Sequence, residues 1–155
     1  APSRRGGETA SRPYRLQVAR QMSETIDSIF TYDRDARIIV AGDFNDYSES
    51  PALQMLCDGS RLVEVSRDAT GRHGAEATYR WRGEWRSLDH VLCSQTVARC
   101  SVACYIGDLP FLLEEDERYG GFHPWRSFLG PRYQGGYSDH LPLVFRFHLN
   151  DNSVK

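Results

Sequence analysis

The stretch "IIVAGDFND", Ile38 to Asp46, decides the fold because it joins an apolar run directly to a group of polar residues. An apolar run of this kind is typical of a strand that is buried on both faces. The segment Gly-Asp-Phe-Asn at its end places polar side chains at the edge of the core. Asp43 and Asn45 are two residues apart, so on an extended backbone their side chains point the same way. This arrangement favours a functional site over a purely structural role.

The composition is that of an ordinary globular domain. The 155 residues, of which 40% are hydrophobic and 26% charged, are enough for one domain with a substantial core. The formal net charge of −2 gives no general positive field, which argues against tight, sequence-independent binding of nucleic acid. No apolar run is long enough to span a membrane. The polar, glycine-rich residues 1–13 do not resemble a signal peptide, and the sequence leaves the localisation open.

The four cysteines are Cys57, Cys93, Cys100 and Cys104. None of them forms a C-x-x-C pair, so a structural zinc site is not predicted. Three of them lie in apolar, strand-like segments, which favours buried free thiols. A disulfide from Cys93 to Cys100 or Cys104 is the alternative if the protein is secreted.

The first third of the chain is predicted to hold two helices and one strand. The first helix begins near Ser11, a good N-cap, with Pro13 in its first turn. Its apolar face is formed by residues at helical spacing, namely Ala19, Met22, Ile26, Ile29 and Phe30. The strand, residues 37–41, follows. A second, short helix begins at Pro51 with Ser50 as its cap.

The rest of the chain is predicted to be rich in β-strands. Segments with strand patterning are Leu62–Val65, Thr78–Arg82, Arg86–Cys93, Val97–Ile106 and Leu143–Leu149. The second and third of these flank "GEW" and are predicted to form a hairpin. Residues 107–137 show no clean period, and a loop of this length inside a compact domain is often functional.

Three short segments carry the chemistry, and each lies at the start or end of a predicted strand: "GDFN" at 42–45, "SLDHVL" at 87–92 and "GYSDHLPLVF" at 136–145. Each segment alone is weak evidence for a functional site, because an aspartate after a strand often only caps a turn. Together and in this order, they resemble the endonuclease/exonuclease/phosphatase superfamily of metal-dependent phosphoesterases. That family includes pancreatic deoxyribonuclease, abasic-site endonucleases, neutral sphingomyelinases and inositol polyphosphate 5-phosphatases.

The resemblance implies an α/β (α+β) fold, a four-layer α-β-β-α sandwich in which each half supplies one sheet. Residues 1–155 resemble only the C-terminal half, so we expect one mixed, mainly antiparallel sheet with helices on one face. The resemblance implies that the family's N-terminal half, which supplies the metal-binding glutamate, is not part of residues 1–155. An inner sheet face would then be bare. Its candidates are either Leu88, His90 and Leu92 or, on the other side of the strand, Asp89, Val91 and Cys93, with Phe145 and Phe147 of the last strand. We expect the chain to bind its missing half or to self-associate through that face.

The resemblance also assigns roles to five residues. Asp43 orients or deprotonates the attacking water, and Asn45 donates an amide hydrogen bond to a phosphate oxygen. His140 hydrogen-bonds a phosphoryl oxygen as charge builds there, while Asp89 fixes its tautomer and favours its protonated form. Asp139 is a metal ligand or an assistant to the base, and Asp43 is a second candidate ligand. The implied cofactor is Mg²⁺ or Mn²⁺, bound through oxygen ligands.

Each of these residues also has a structural alternative. Asp43 and Asn45 could form only an Asx-turn at the end of the strand, and Asp139 could only cap a turn. Asp89 could be a solvated carboxylate. His90 follows Asp89 on a strand and faces the opposite side, so we interpret it as structural. The catalytic interpretation is preferred because the three segments occur together.

The long segment before Asp139 brings further basic residues toward the site. Candidates for binding phosphate or another acidic group are His123, Arg126 and Arg132. Its aromatic side chains could line a pocket: Phe122, Trp125, Phe128, Tyr133 and Tyr137. The alternative is a solvated loop whose aromatic residues pack on the core. The acidic run Glu114–Glu117 cancels much of the local positive charge.

The predicted function is metal-dependent hydrolysis of a phosphate ester, complete only with the missing half. A phosphodiesterase and a phosphomonoesterase are equally compatible with the three segments. The net negative charge favours a small phosphorylated substrate over duplex DNA. Two alternatives stay open: a deoxyribonuclease-type endonuclease that acts on nucleic acid, and a non-catalytic relative that keeps the fold for binding.

Overall fold

The computed structural model describes residues 7–59 and 61–148. Its helices are α1 (Glu8–Tyr32), α2 (Pro51–Gln54) and α3 (Gln95–Ala98), with a π-helical turn over Met55–Gly59 and a 3-10 turn over Pro110–Leu112. Its strands are β1 (Ile39–Asp43), β2 (Leu62–Glu64), β3 (Tyr79–Trp81), β4 (Glu84–Arg86), β5 (Asp89–Ser94), β6 (Ser101–Ile106), β7 (Leu113–Glu115), β8 (Phe122–Pro124), β9 (Phe128–Leu129), β10 (Arg132–Tyr133) and β11 (Leu143–Phe147). The chain therefore mixes a few helices with antiparallel strands, in keeping with the predicted class.

The strands of the described residues form several small antiparallel sheets. One sheet has three strands in the order β1-β5-β2, and the two-stranded sheets are β3-β4, β6-β11, β7-β8 and β9-β10. The prediction of one mixed sheet is wrong for this part of the chain, since each of these strand pairs is antiparallel. Proline contributes to the interruptions, because Pro124, Pro131 and Pro142 lie at strand ends and lack the N–H that a ladder needs.

The helices α1 and α2 pack together against the three-stranded sheet. The buried cluster between them contains Ala19, Ile26, Phe30, Ala36, Ala52, Leu56, Leu62 and Leu92. Val40 in β1 lies opposite Leu92 in β5 and packs against the same cluster. A second buried cluster includes Ile106 and Leu141 and lies beside β6 and β11. The sheet thus has one face covered by helices, which leaves its other face and its ends to carry the polar residues of interest.

The bare sheet face predicted from residues 88–93 is not present in the described part of the chain. β5 is the central strand, and Val91, Leu92 and Cys93 are at most 4% exposed. The prediction was wrong because β11 of the same chain lies against β5. Exposed apolar side chains lie on several other elements, among them Tyr14 on α1, which is 62% exposed, and Ile39 on β1, which is 43% exposed.

Helix α1 begins earlier than predicted, at Glu8 with Gly7 as its cap residue. Ser11 lies inside the helix and its hydroxyl donates to the carbonyl of Gly7 at 2.9 Å, so the prediction of Ser11 as N-cap is wrong. Gly7 takes that position with a φ of 103°, which glycine adopts readily. The prediction for α2 is confirmed, since the Ser50 hydroxyl accepts a hydrogen bond from the Leu53 N–H at 3.3 Å.

Several strand boundaries differ from the prediction. β1 continues to Asp43 because its pairing with β5 continues to Asp89. The predicted hairpin is shorter, with β3 paired to β4 and a turn at Arg82 and Gly83, whose φ angles are 52° and 83°. β5, predicted as the second arm of that hairpin, belongs to another sheet.

The second half of the chain is more ordered than its pattern indicated. Residues 95–98 form α3 rather than the start of a strand. Residues 107–137 contain the pairs β7-β8 and β9-β10 and are therefore not a structureless loop. Leu149, the predicted end of the last strand, lies outside the described residues. No helix within the described ranges is long and apolar enough to cross a membrane.

Candidate active site

The ends of β1 and β5 bring two carboxylates together. In the antiparallel register of these strands Asp43 lies directly opposite Asp89, so both side chains project from the same face of the sheet. By strand alternation this face is opposite the one on which Leu92 packs against α1. Like charges on directly opposed residues destabilise a sheet, so this pair needs compensating partners.

The chain turns sharply after β1, and the turn presents Asp43 beside Asn45. Gly42 has a φ of 144° and Asn45 a φ of 51°, values that favour glycine and asparagine. The Asp43 carboxylate accepts two hydrogen bonds from Asn45, at 2.7 Å from the backbone N–H and at 2.8 Å from the side-chain amide. The Asx-turn named above as the structural alternative is therefore present. It also fixes the carboxylate and the amide in one geometry at the protein surface.

His140 forms a hydrogen-bonded pair with Asp89. Its Nδ1 lies 2.7 Å from Asp89 Oδ2, as the predicted tautomer-fixing contact requires. Because an ionised carboxylate only accepts, Nδ1 carries the proton and Nε2 is the ring nitrogen directed away from Asp89. The Tyr79 ring packs on the imidazole with 4.9 Å between ring centres, and the two backbones form an antiparallel bridge. The ring is thus held by both its hydrogen bond and its packing.

Thr78 is a third member of this group that the sequence pattern did not reveal. Its side chain is buried, and its hydroxyl donates at 2.5 Å to Asp89 Oδ2, the oxygen that also meets His140. The carbonyl of Thr78 accepts from the Leu141 N–H at 2.7 Å, which ties β3 to the segment that carries His140. A threonine at a strand entrance has no distinctive sequence signal, so only the fold identifies this contact.

Thr78→Val is expected to lower the stability of the folded chain. The change keeps the shape of the side chain and removes the donor to Asp89, and a hydrogen bond to a charged group is worth about 1.5–3 kcal/mol. Urea denaturation measures the effect. Thr25→Val is the matched control, because the Thr25 hydroxyl bonds a carbonyl of its own helix at an exposed position. Equal stability of the two variants would contradict the contribution assigned to Thr78.

The pair of His140 and Asp89 has shifted acid–base properties. Burial opposes the charge on His140, but the hydrogen bond and attraction to Asp89 outweigh it and raise the pKa of His140 above its ordinary 6.5, with smaller help from Asp139 and Asp43. Burial also opposes the charge on Asp89, but hydrogen bonds from His140 and Thr78 hold its pKa below the ordinary 3.8. The imidazolium–carboxylate pair is therefore the favoured charge state over a wider pH range than for free side chains.

The pair is expected to stabilise the folded state most between pH 3.8 and pH 6.5. The raised pKa of His140 gives stability that is full below pH 6.5 and is lost as the pH rises through the folded-state value. The lowered pKa of Asp89 gives stability that is present above pH 3.8 and is lost as the pH falls. The difference in free energy of unfolding between wild type and Asp89→Asn should therefore be largest in this window. Urea denaturation at a series of pH values measures it, and a pH-independent difference would contradict it.

The described residues do not by themselves form a metal site. In residues 7–59 and 61–148 no group of three or more His, Cys, Asp or Glu side chains could hold an ion. Asp43 has both carboxylate oxygens bonded to Asn45, and Asp139 is an exposed neighbour of His140. Mg²⁺ demands a near-octahedral set of oxygen ligands. Asp43 and Asp139 can therefore contribute at most part of such a set.

The basic residues of the long segment have different surroundings. Arg126 donates to a backbone carbonyl at 2.8 Å and lies over the Tyr79 ring at 5.9 Å, so it is linked to His140 through Tyr79. His123 bonds a neighbouring carbonyl at 2.8 Å and shares with Arg126 a cleft of about 610 Å³. Arg132 lies exposed on β10. Of these three basic residues, Arg126 is the one whose described contacts connect it to His140, through the Tyr79 ring.

A carboxylate-bound histidine near an aspartate and an asparagine amide at one end of the sheet is suited to the transfer of protons and the binding of an anionic group. The chain belongs to the Endonuclease/Exonuclease/phosphatase family, whose profile matches residues 1–149.

Two crystal structures of the same family are similar to this fold. One is an endonuclease/exonuclease/phosphatase family protein from Bacteroides thetaiotaomicron, 14% identical, with a TM-score of 0.55 over 88% of this chain and 44% of that one. The other, from Bacteroides vulgatus, is 18% identical, with a TM-score of 0.50 over 93% of this chain and 46% of that one. The chain thus spans less than half the length of either protein. No curated protein matches the sequence.

Proposed function

We propose that the chain supplies the histidine-containing part of the active site of a metal-dependent phosphoesterase. Family membership indicates phosphoesterase or nuclease-type activity. The observation that supports the proposal most is the 2.7 Å hydrogen bond between Asp89 and His140, formed where Asp43 lies opposite Asp89 across the sheet.

His140 is proposed to act on the phosphate. Hydrolysis of a phosphate ester builds negative charge on the phosphoryl and leaving oxygens, and donors aimed at that charge in advance lower the barrier. With its raised pKa, the protonated imidazole can donate from Nε2 to such an oxygen. Asp89 holds Nδ1 and balances the positive charge.

Asp43 and Asn45 are proposed to act on the attacking water and on the phosphate. The Asp43 carboxylate orients the water or accepts its proton. The two hydrogen bonds from Asn45 fix the direction of that carboxylate. Asn45 places a neutral amide beside it, which binds a phosphate oxygen without adding charge.

A divalent cation, Mg²⁺ or Mn²⁺, is part of the proposal because enzymes of this family commonly use one. Such an ion supplies charge neutralisation at the phosphate. Asp139 and Asp43 are the candidate ligands in this chain, and the remaining ligands would come from outside the described residues. Assays after treatment with EDTA, and after return of each cation, test this part.

We also propose that residues 1–155 are the C-terminal half of a larger catalytic domain. The chain covers 44% and 46% of the two similar crystal structures. A cavity of about 250 Å³ lies between α1 and the edge strand β1, and Val18 lines it at 39% exposure. Ile39 on β1 is also exposed. This open edge is where we expect the N-terminal half to dock.

Arg126 and His123 are proposed to take part in substrate binding. Their shared cleft of about 610 Å³ is also lined by Arg118, which is exposed, and by Arg80, whose guanidinium is buried and donates to backbone carbonyls. Glu114–Glu117 line the cleft as well, which limits its attraction for a long polyanion. Arg132, on the neighbouring hairpin, is the third candidate. A small phosphorylated substrate fits this mixed charge better than duplex DNA does.

A substrate panel tests the proposed function. The complete protein, this chain together with its N-terminal half, is assayed with Mg²⁺ against plasmid DNA, abasic DNA, phosphoinositides and choline phospholipids. We expect hydrolysis of a small phosphorylated substrate and its loss in His140→Ala. Rapid nicking of plasmid DNA would indicate a nuclease instead. Inactivity on every substrate would contradict the proposal and favour a non-catalytic relative.

A further inference from the structure

Strand β5 carries two functional side chains that face opposite ways. Asp89 faces the candidate site, whereas His90 faces the helix-covered side, where it is 1% exposed. His90 Nδ1 lies 2.7 Å from Glu64 Oε1, and its Nε2 lies 2.9 Å from the carbonyl oxygen of Asp46. A carbonyl oxygen only accepts, so Nε2 carries a proton and donates it to this bond. His90 therefore binds the backbone directly behind the 43–45 turn.

The turn is held from its buried side at two further points. The Phe44 ring packs edge-on against the His90 ring, with 5.6 Å between centres. The buried carboxylate of Asp46 accepts a hydrogen bond from Arg15 Nε at 3.0 Å. Arg15 is itself fixed within α1, because its Nη1 donates to the Ser11 hydroxyl at 2.6 Å and its Nη2 to a backbone carbonyl at 3.2 Å. The interior thus holds both neighbours of Asn45.

We propose that His90 is a positioning residue that fixes the backbone of the 43–46 turn and, through it, the Asp43 carboxylate. The inference rests on the proposed function, in which Asp43 acts on the attacking water. Asp43 is exposed, whereas Phe44 packs against the core and Asp46 is buried, so a shift of the Asp46 carbonyl also moves the Asp43 carboxylate. A misplacement of about 1 Å costs on the order of 10²-fold in rate.

The alternative role for His90 is to neutralise the buried carboxylate of Glu64. Glu64 also accepts a hydrogen bond from the Ser48 hydroxyl at 2.7 Å and pairs with Arg67 at 3.3 Å. If His90 served only to neutralise this buried carboxylate, its bond to Glu64 would matter and its bond to Asp46 would not. The two roles therefore differ in which hydrogen bond of the ring must be kept for activity, the one from Nε2 or the one from Nδ1.

Two substitutions separate the two bonds. His90→Gln keeps an amide N–H at the position of Nε2, toward Asp46, and loses the donor toward Glu64. His90→Asn keeps an amide N–H at the position of Nδ1, toward Glu64, and loses the donor toward Asp46. In the complete protein we expect His90→Asn to lower kcat by on the order of 10–100-fold with KM within about threefold, and His90→Gln to keep kcat within about threefold. His148→Asn, at an exposed histidine, is the matched control.

Amide hydrogen exchange of residues 43–47 gives a readout that does not depend on activity. We expect faster exchange there in His90→Asn than in His90→Gln, with exchange in α1 unchanged. Equal kcat or equal exchange in the two variants would overturn the positioning role and leave His90 as a partner of Glu64 alone. An inactive wild-type protein would instead overturn the proposed function, and the exchange comparison would still decide whether His90 holds the turn.

Discussion

His140→Ala is expected to remove nearly all activity of the complete protein, lowering kcat by about 10²–10⁴-fold, the usual contribution of a positioned acid or base. The variant removes the donor to the developing charge on the phosphate. Asp89 keeps its hydrogen bond from Thr78, so the fold should persist. Steady-state kinetics with the best substrate of the panel measures the effect, and circular dichroism checks folding. His148→Ala, at an exposed histidine, is the control.

Asp89→Asn is expected to cost less than His140→Ala. An asparagine oxygen can still accept from Nδ1, so the imidazole stays in place, but the charge that raises the pKa of His140 is lost. Should Asp89→Asn prove the more damaging change, Asp89 would have to contact the substrate or the metal directly. The assignment of Asp89 as the partner that fixes His140 would then be withdrawn.

The chain by itself is expected to show no measurable phosphoesterase activity and to regain turnover when the N-terminal half docks. Its described residues do not form a metal site. Burial of apolar surface contributes about 25 cal/mol per Å², so covering roughly 200 Å² around the edge strand would contribute about 5 kcal/mol toward association. We therefore also expect the isolated chain to associate with that half or with itself. Size-exclusion chromatography with light scattering, and assays with Mg²⁺ before and after addition of the half, measure both effects.

The location of the docking surface can be tested by a matched pair of variants. Ile39→Asp places a charge on the open edge strand, where Ile39 is 43% exposed. Val102→Asp places the same charge on β6, outside the surface formed by α1 and β1, at a similar exposure, 51%. We expect only Ile39→Asp to prevent recovery of activity. A well-folded monomer that hydrolyses phosphoesters unaided would contradict the whole prediction, since residues interpreted as structural would then complete the site.

The parts of the candidate site that could be predicted from the sequence are those formed by residues close together in the chain. An apolar run that ends in Gly-Asp-Phe-Asn marks the turn, and the side chains of Asp43 and Asn45 meet across two residues. The contact between Asp89 and His140 spans 51 residues and has no local signature, so its prediction came from the resemblance of three segments taken together. Ser50 and Pro51 marked the start of α2 because helix caps depend on neighbouring residues alone.

The features that the sequence did not reveal depend on contacts between distant segments. The alternation of residues 88–93 showed which side chains share a face, but it could not show that β11 would lie against that strand. The same limit applies to the hydrogen bond from Thr78 to Asp89 and to the pairing of Arg15 with Asp46, which join residues far apart in the chain. The division into small sheets likewise depends on which strands pair with each other, and that pairing is set by contacts throughout the chain.

Because Asp89 and His90 are adjacent on β5, the roles proposed for both depend on the register in which this strand is paired. A slip of one residue in the pairing of β5 would exchange the two faces. The carboxylate would enter the helix-packed interior, and the imidazole that grips the turn would move to the surface. A molecule with this error would lose the partner of His140 and the support of Asp43 together, so we expect a larger loss of activity than from either change alone. Under the proposed function, turnover of the refolded complete protein would therefore report the fraction of molecules in which β5 is paired in the correct register.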